Sequence, residues 1–432
     1  MKRSRILLII AFPSLVLCCL LAIIVYSLPP VNEALSWRLE QLRADIKYAL
    51  APPEKAVFTP GATSASQPTA ILLPTLPPPS PTPTINLTTP EPTATPTLAL
   101  TPTLSPTPVP EMFMLSGIQH AYQMWNNCGP ANLAMALSFW GWKGDQRETA
   151  AFLKPNDRDK NVMPYEMEAF IEEKTDLEAV VRVGGDLEIL KAFISAGFPV
   201  VIEKGFEGTG FDGWMGHYEV LNGYDDAKGV FYAQDSYKGP NLPVAYSDLQ
   251  SQWRAFNYTY LVIYPNELQQ QVLDILGLQA FDNFNYHHAE QKAARESQLL
   301  SGRDLYFALF NRGSNLVSLK DYTNAAMSYD AAFANYAQIP EPQRPWRMLW
   351  YQTGPYFAYY YTGRYQDVIN LVTTTLEAMS EPILEESFYW RAQAYLALGD
   401  NESAIKDLRT CVKAHPGFVP CVEGLNGLGL EP

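Results

Sequence analysis

A proline-rich stretch between Pro52 and Pro110 limits how this chain can fold more than any other feature of its sequence. It holds 17 of the 35 prolines in 59 residues, alternates them with Thr, Ser, Ala and Leu, and carries almost no charge. Such a composition cannot bury enough apolar surface to form a core, and it favours extended polyproline II. Residues 52–110 are therefore predicted to be a disordered Pro/Thr-rich linker between the folded parts of the 432-residue chain.

The segment before the linker begins with a short basic stretch, Met1–Arg5, followed by an uncharged apolar run from Ile6 to Leu28. A helix of that length spans about 35 Å, which is enough to cross a hydrocarbon core. The positive-inside rule then keeps the N-terminus in the cytoplasm. We predict that residues 1–30 form a cytoplasmic cap and a transmembrane anchor of a single-pass cell-membrane protein, whose bulk is extracytoplasmic. Secretion after cleavage of a signal peptide is the alternative.

Residues 31–51 carry leucine or isoleucine at helical spacing, at positions 35, 39, 42, 46 and 50. This pattern predicts a juxtamembrane helix that lies on the membrane surface or pairs with a partner. A short solvated extension of the span is the other interpretation. Pro52 and Pro53 end the helix in either case.

Charge and cysteine content exclude several classes of function. Residues 111–267 hold 12 lysines and arginines against 22 aspartates and glutamates, so the basic surface that nucleic acid requires is missing. The five cysteines form neither a disulfide scaffold nor a zinc-binding spacing, and we predict no metal and no other cofactor. Pairing of Cys411 with Cys421 stays open, because helical geometry need not bring them into bonding range.

Residues 111–265 have the composition of a globular domain in which helices and strands alternate. Their patterns predict helices over 131–140 and 187–196 and strands over 198–203, 217–224, 230–236 and 258–264. A helix packed against a later antiparallel sheet is an α+β arrangement.

Cys128 stands directly before the first of these helices, in the sequence NNCGPA. Pro130 is a helix-start signal, and the N-terminus of a helix favours the thiolate form of a cysteine. Because Gly129 lacks a Cβ atom, we expect it to let a substrate backbone approach the sulfur. A lone cysteine before a helix is also often a small buried hydrophobe.

His217 and Asp235 lie in two predicted strands around a turn centred on Ala227. Residues whose numbers sum to about 454 then lie opposite each other, which puts His217 and Asp235 on one face of a hairpin. A carboxylate in that place fixes one imidazole nitrogen and turns the other toward a thiolate. The alternatives are a strand-end turn former for Asp235 and a structural role for His217.

Three motifs together carry a resemblance: NNCGPA at 126–131, GHYEVLNGYD at 216–225 and DSY at 235–237. They resemble the bacteriocin-processing (double-glycine-leader) peptidase family and its papain-like relatives, from Ile118 to about Tyr264. The resemblance implies a papain-like cysteine peptidase fold over residues 111–265.

The resemblance also assigns roles to individual residues. It implies Cys128 as nucleophile, His217 as general base and acid, and Asp235 as the group that orients His217. A glutamine shortly before the cysteine is implied as a donor to the oxyanion, with Gln123 as the candidate and Gln119 as a second choice.

Residues 266–432 are predicted to be helical, with a period near 34. Three copies span 306–339, 349–375 and 385–418, and Gly363 and Gly399 hold the same turn position in two of them. This pattern resembles tetratricopeptide repeats. The array either binds a protein partner in its groove or serves as a rigid platform.

These features together predict a membrane-anchored extracytoplasmic cysteine peptidase that hydrolyses a peptide or protein substrate and recruits a protein through its repeats. One alternative is a catalytically silent papain-like domain that acts as a surface binding or scaffold protein. The other is non-proteolytic acyl transfer on the same triad.

Overall fold

The computed structural model describes residues 29–61, 109–156, 158–207 and 213–432. No helix in these ranges is long and apolar enough to span a membrane. This finding contradicts the prediction of a single-pass cell-membrane protein. Helix α1 (Pro29–Leu50) carries charged residues along its length. The apolar run Ile6–Leu28, and residues 62–108 of the predicted linker, lie outside the described residues.

Residues 112–265 form an antiparallel seven-stranded sheet with helices packed against it, so the predicted α+β class is confirmed. The strands are β1 (Met112–Met114), β2 (Leu177–Arg182), β3 (Val200–Phe206), β4 (Met215–Asp225), β5 (Val230–Asp235), β6 (Gly239–Ala245) and β7 (Tyr260–Pro265). The helices are α2 (Cys128–Phe139), α3 (Gln146–Leu153), α4 (Pro164–Lys174), α5 (Leu187–Ser195) and α6 (Tyr246–Arg254). The sheet order is β2-β7-β3-β4-β5-β6, and β1 pairs with β4.

Helix α2 is apolar on nearly every side and is buried from Gly129 to Leu137. A helix with this pattern belongs in a core rather than on a surface. It packs on the sheet in a cluster that includes Val201, Val220 and Leu261. This packing places the first residue of the helix, Cys128, beside strand β4.

The hairpin of β4 and β5 has the predicted register at the end that carries His217. Val220 lies opposite Gln234 and Leu221 opposite Ala233, and an irregularity follows between Leu221 and Gly223. His217 and Asp235 therefore lie on one face of the sheet.

The C-terminal part is all helical. Its helices are α7 (Gln269–Leu276), α8 (Asp282–Leu299), α9 (Gly302–Ser318), α10 (Tyr322–Tyr336), α11 (Met348–Tyr351), α12 (Gly354–Tyr361), α13 (Tyr365–Ala378), α14 (Glu385–Ala397), α15 (Asn401–Ala414) and α16 (Val419–Gly427). Three-residue turns join α9 to α10, α12 to α13 and α14 to α15. The middle residue of each turn has a positive φ: 62° at Lys320, 74° at Gly363 and 83° at Gly399. The shared turn position predicted for the two glycines therefore extends to a third helix pair, where a lysine occupies it.

A disulfide between Cys411 and Cys421 joins α15 to α16, with the two Cα atoms 6.3 Å apart. The pairing that the sequence left open is thus present. It fixes the last helix of the array to the pair before it.

Helix α1 packs on these C-terminal helices. Tyr48 is 8% exposed and meets Trp346 edge to face at 5.3 Å between ring centres. Arg43 forms an ion pair with Glu381 at 2.9 Å. The predicted apolar row faces solvent where its side chains are described, at Leu39, Leu42, Ile46 and Leu50. The helix therefore pairs with its own chain, and it does so through a different face.

The residues after α1 fill a pocket between helices of the C-terminal part. The ring of Phe58 lies 5.0 Å from that of Phe333 and 6.1 Å from that of Tyr359. Arg344 donates to the backbone oxygen of Glu54 at 2.7 Å. Part of the surface between these C-terminal helices is thus occupied by the chain's own N-terminal flank.

Candidate active site

Cys128 begins α2 after a turn in which Asn126 has a φ of 53°. The amide of Asn127 donates to Gln146 Oε1 at 2.9 Å, and that of Asn126 donates to the backbone oxygen of Asp159. Cys128 is half-buried and is the one free cysteine among the described residues. Because the first N–H groups of a helix have no intrahelical partner, they remain available near the sulfur.

Gly129 has a packing role in the structure. A Cβ atom on this residue would lie 3.1 Å from Val162 Cβ and 3.1 Å from Met167 Cε. The missing side chain therefore lets α2 pack closely against its own domain.

His217 and Asp235 form a buried pair. Nε2 of His217 lies 3.0 Å from Oδ1 of Asp235, and the two residues are 4% and 1% exposed. The same carboxylate oxygen accepts the backbone N–H groups of Tyr237 at 2.8 Å and Lys238 at 3.0 Å. The thiol of Cys128 interacts with His217, whose hydrogen bonding and charge both act on the sulfur.

Burial and hydrogen bonding act in opposite directions on the three pKa values. Burial alone would raise the pKa of the Cys128 thiol, but the hydrogen bond and charge of His217 lower it below its usual value. Burial would lower the pKa of His217, whereas its bonds to Asp235 and Cys128 raise that pKa to about 9. Burial also opposes ionisation of Asp235, yet the bond to His217 holds its pKa well below the usual range. These shifts favour a thiolate–imidazolium pair at neutral pH.

The side chain of Gln123 is held by a short chain of hydrogen bonds. Its Oε1 accepts from Ser236 Oγ at 2.8 Å, and Ser236 Oγ accepts from Asn132 Nδ2 at 2.9 Å. Asn132 also donates to the backbone oxygen of Cys128 at 2.9 Å. Because the oxygen of Gln123 is occupied in this way, its amide nitrogen is the part of the group that remains to donate.

Gln119, the second choice for that role, is exposed, and its backbone N–H donates to Ser138 Oγ at 2.9 Å. The structure does not bring it into the network around Cys128. Of the two glutamines, Gln123 is the one joined to that network.

Sequence reasoning missed Asn132 and Ser236. Asn132 lies four residues after Cys128 and therefore on the same face of α2, and Ser236 directly follows Asp235. A polar residue inside an otherwise apolar helix was the available signal, because a buried amide needs partners.

A second buried ion pair lies beside His217. Lys204 is opposite His217 in the register of β3 and β4, and its ammonium lies 2.5 Å from Glu219 Oε1. Both side chains are 2% exposed, and Lys204 also donates to Gln252 at 2.9 Å. The charge of Glu219 is thus compensated by a cation of the same chain.

The C-terminal helices line the site on the side of His217. A Cβ atom on Gly216 would lie 3.0 Å from the ring of Tyr351, at the end of α11. Tyr351 also meets Trp214 edge to face at 6.1 Å, and Arg347 donates to the backbone oxygen of Trp214 at 2.9 Å. The neighbourhood of His217 is therefore built from both parts of the chain.

Comparisons with known proteins agree with this division. Residues 115–261 match the Peptidase_C39 like family, and residues 385–417 match a tetratricopeptide repeat. The chain therefore contains a C39-like peptidase domain followed by an all-helical region with such a repeat. The family predicted from the motifs around Cys128, His217 and Asp235 is confirmed at this level.

One solved structure, described as a C39-like peptidase from Bacillus anthracis, is 20% identical over 35% of this chain and 96% of that one, with a TM-score of 0.30. No curated protein matches the chain.

Proposed function

We propose that this protein is a cysteine peptidase that hydrolyses peptide bonds through Cys128, His217 and Asp235. The observation that supports the proposal most is the buried hydrogen bond between His217 and Asp235, on a ring that also binds the Cys128 thiol. A merely structural histidine does not need a cysteine partner at the start of a helix.

In the proposed reaction the Cys128 thiolate attacks the carbonyl carbon of the scissile bond. A C–S bond forms, and the carbonyl π electrons move to oxygen, where the Cys128 N–H and the Gln123 amide donate hydrogen bonds. The His217 imidazolium then protonates the leaving amine, and the C–N bond breaks to give a thioester.

The second half returns the enzyme to its starting state. Neutral His217 takes a proton from water, the hydroxide adds to the thioester, and collapse of this adduct releases the carboxylic acid and the Cys128 thiolate. Asp235 accepts from His217 Nε2 throughout, which keeps Nδ1 turned toward the sulfur and the substrate.

The tetratricopeptide repeat implies interaction with a protein, and we propose that the helical region helps to bind a protein substrate. Tyr351 and Trp214 support this proposal, because they bring the helical region next to Gly216 and His217.

The test uses the full chain and a library of internally quenched peptides. We expect Cys128→Ala to lower kcat/KM by at least about 1,000-fold, because removal of a nucleophile leaves only binding and oxyanion stabilisation. His287→Gln is the matched control, since His287 is exposed and remote in sequence from the three residues.

Equal turnover by the Cys128→Ala variant contradicts the proposal. A Cys128 that is alkylated rapidly at pH 6, in a protein that cleaves no peptide, favours a binding or scaffold function. Transfer of the acyl group to an added amine in preference to water favours acyl transfer.

A further inference from the structure

A second group of titratable side chains is buried where the peptidase domain meets the last helix pair. Asp159 comes from the segment between α3 and α4, Glu385 is the first residue of α14, and His415 follows α15 directly. We call these three residues the junction cluster. Their potential ligand atoms all lie within 4.8 Å of one another.

The junction cluster is shielded from water. Asp159 is 1% exposed and Glu385 is 3% exposed. His415 Nδ1 lies 2.9 Å from Glu385 Oε1, so one imidazole meets one carboxylate. The backbone N–H of Asn161 donates to Asp159 Oδ1 at 3.1 Å.

Carboxylates outnumber the described cations here, although Lys154 lies near Asp159 and donates to the backbone oxygen of Asn126. Glu386, the next residue of α14, is also buried, and it accepts from the hydroxyl of Tyr165 at 3.4 Å. The nearby arginines, Arg43 and Arg158, are both paired with Glu381. The N-terminus of α14 offers only about half a positive charge. Burying a carboxylate without a matching cation costs on the order of several kcal/mol per ion.

One oxygen of the cluster has no partner at all among the described residues. Oε2 of Glu385 is buried and accepts no hydrogen bond. Buried polar atoms usually have a partner, and an ion or donor from outside the chain is one that this oxygen could accept. It belongs to the carboxylate that already faces His415, so the side chain keeps one oxygen available to a further ligand.

We propose that the junction cluster binds one divalent transition-metal ion of the Zn²⁺ class. Zinc accepts imidazole nitrogen and carboxylate oxygen together, usually from three or four ligands at about 2.0–2.2 Å. Calcium and magnesium prefer oxygen ligands alone, and the central place of His415 disfavours them.

Such an ion ties the last helix pair to the segment that supports Cys128. Glu385 and His415 lie at the two ends of the matched tetratricopeptide repeat, and Asp159 lies in the peptidase domain. The backbone oxygen of Asp159 in turn accepts from the side chain of Asn126, two residues before Cys128. Occupancy therefore fixes the turn from which the catalytic helix starts.

The test measures zinc directly. Full-length protein carrying Cys128→Ala, which removes the thiolate as a competing ligand, is stripped with a chelator and titrated with ZnCl₂, MnCl₂ or CaCl₂. We expect one equivalent of Zn²⁺, a rise in Tm on binding, and little or no response to Ca²⁺. Glu385→Gln and His415→Gln should each weaken zinc binding by about 100-fold or more. This is a larger loss than the one expected for a residue that only hydrogen-bonds to a metal ligand.

Glu402→Gln is the matched control, because Glu402 is an exposed carboxylate in the first turn of α15. Circular dichroism establishes that each variant is folded, and two independent ligand variants guard against a single misfolded one. The proposal is overturned if no zinc binds, or if the two ligand variants bind it as tightly as their parent. It is also overturned if binding is lost only in His217→Gln, because His217, Glu219 and Asp235 form the other group of possible ligands.

Discussion

The candidate active site and the junction cluster both bury several ionisable side chains, but they balance the charge differently. Asp235 is bonded to His217 and Glu219 to Lys204, so these two carboxylates each have a cation of the chain within 3.0 Å. In the junction cluster, Asp159 and Glu385 share the single imidazole of His415. Because a low-dielectric interior penalises unpaired charge, the ion pairs of the first region offset the burial of their carboxylates, whereas the proposed site draws its cation from outside the chain.

The largest effect on catalysis is expected from replacing Asp235, the carboxylate that is bonded to His217. Asp235→Asn removes the anion that stabilises the His217 imidazolium and permits the wrong tautomer, so kcat should fall by about 10²–10⁴-fold. The measurement is kcat/KM on a cleaved peptide, with the pH dependence of Cys128 alkylation as a second readout. The alkylation curve should move to higher pH, because a less basic His217 supports the thiolate less well.

The parent protein provides the reference for that pH dependence. Since the pKa of His217 is raised to about 9, the rate should fall as pH rises through about 9 and the imidazolium is lost. The stabilisation that comes from His217 has the same sign: it is present below its unfolded pKa of about 6.5 and disappears as pH rises through about 9. An Asp235→Asn variant with an unchanged alkylation curve would show that Asp235 does not act through the His217–Cys128 pair.

Unfolding measurements separate the two regions further. Lys204→Met leaves Glu219 buried without its cation, and we expect a loss of about 3–5 kcal/mol in the free energy of unfolding. Glu385→Gln in metal-free protein removes one of the crowded carboxylates, so it should cost less than about 1 kcal/mol or stabilise. Urea denaturation followed by circular dichroism gives both values. The double variant Lys204→Met/Glu219→Leu should recover much of the lost stability, because it removes the unpaired charge as well. Equal losses of stability for Lys204→Met and Glu385→Gln would contradict the distinction between the two regions.

The smallest effect concerns the orientation of Gln123. Ser236→Ala frees the Gln123 oxygen, and the amide then points less consistently toward the oxyanion. We expect kcat to fall by about 10-fold, which is less than the roughly 10²–10³-fold cost of losing such a donor outright. Cys128 alkylation should be unchanged, Ser236→Thr should restore the rate, and Ser138→Ala serves as control. A parallel loss of alkylation would mean that Ser236 supports the thiol itself.

The sequence predicted the parts of the site that follow from chain periodicity. The period of two in strands puts His217 and Asp235 on one face once the turn at Ala227 is located. The helix start before Pro130 puts Cys128 at the first turn of α2. Local rules of this kind do not need the rest of the fold.

The contacts that depend on distant segments were beyond such rules. The bond from Ser236 to Gln123 joins residues 113 apart, and no local pattern gives that geometry. In α1, the apolar row at Leu39, Leu42 and Ile46 correctly predicted a helix, yet the buried aromatic is Tyr48 on another face. Which face of the helix is buried depends on Trp346 and its neighbours, which lie almost 300 residues later in the sequence.

The placement of Phe58 has a consequence for proteolysis. Phe58 is seated among the C-terminal helices, while Tyr224 donates to the backbone oxygen of Pro110 at 2.7 Å and β1 pairs with β4. Both borders of residues 62–108 are thus anchored in the same compact unit. A protease that cuts within those residues should generate two polypeptides that migrate separately in denaturing gels but elute together in native chromatography. Cleavage there would convert a single chain into a two-chain protein without releasing its N-terminal piece.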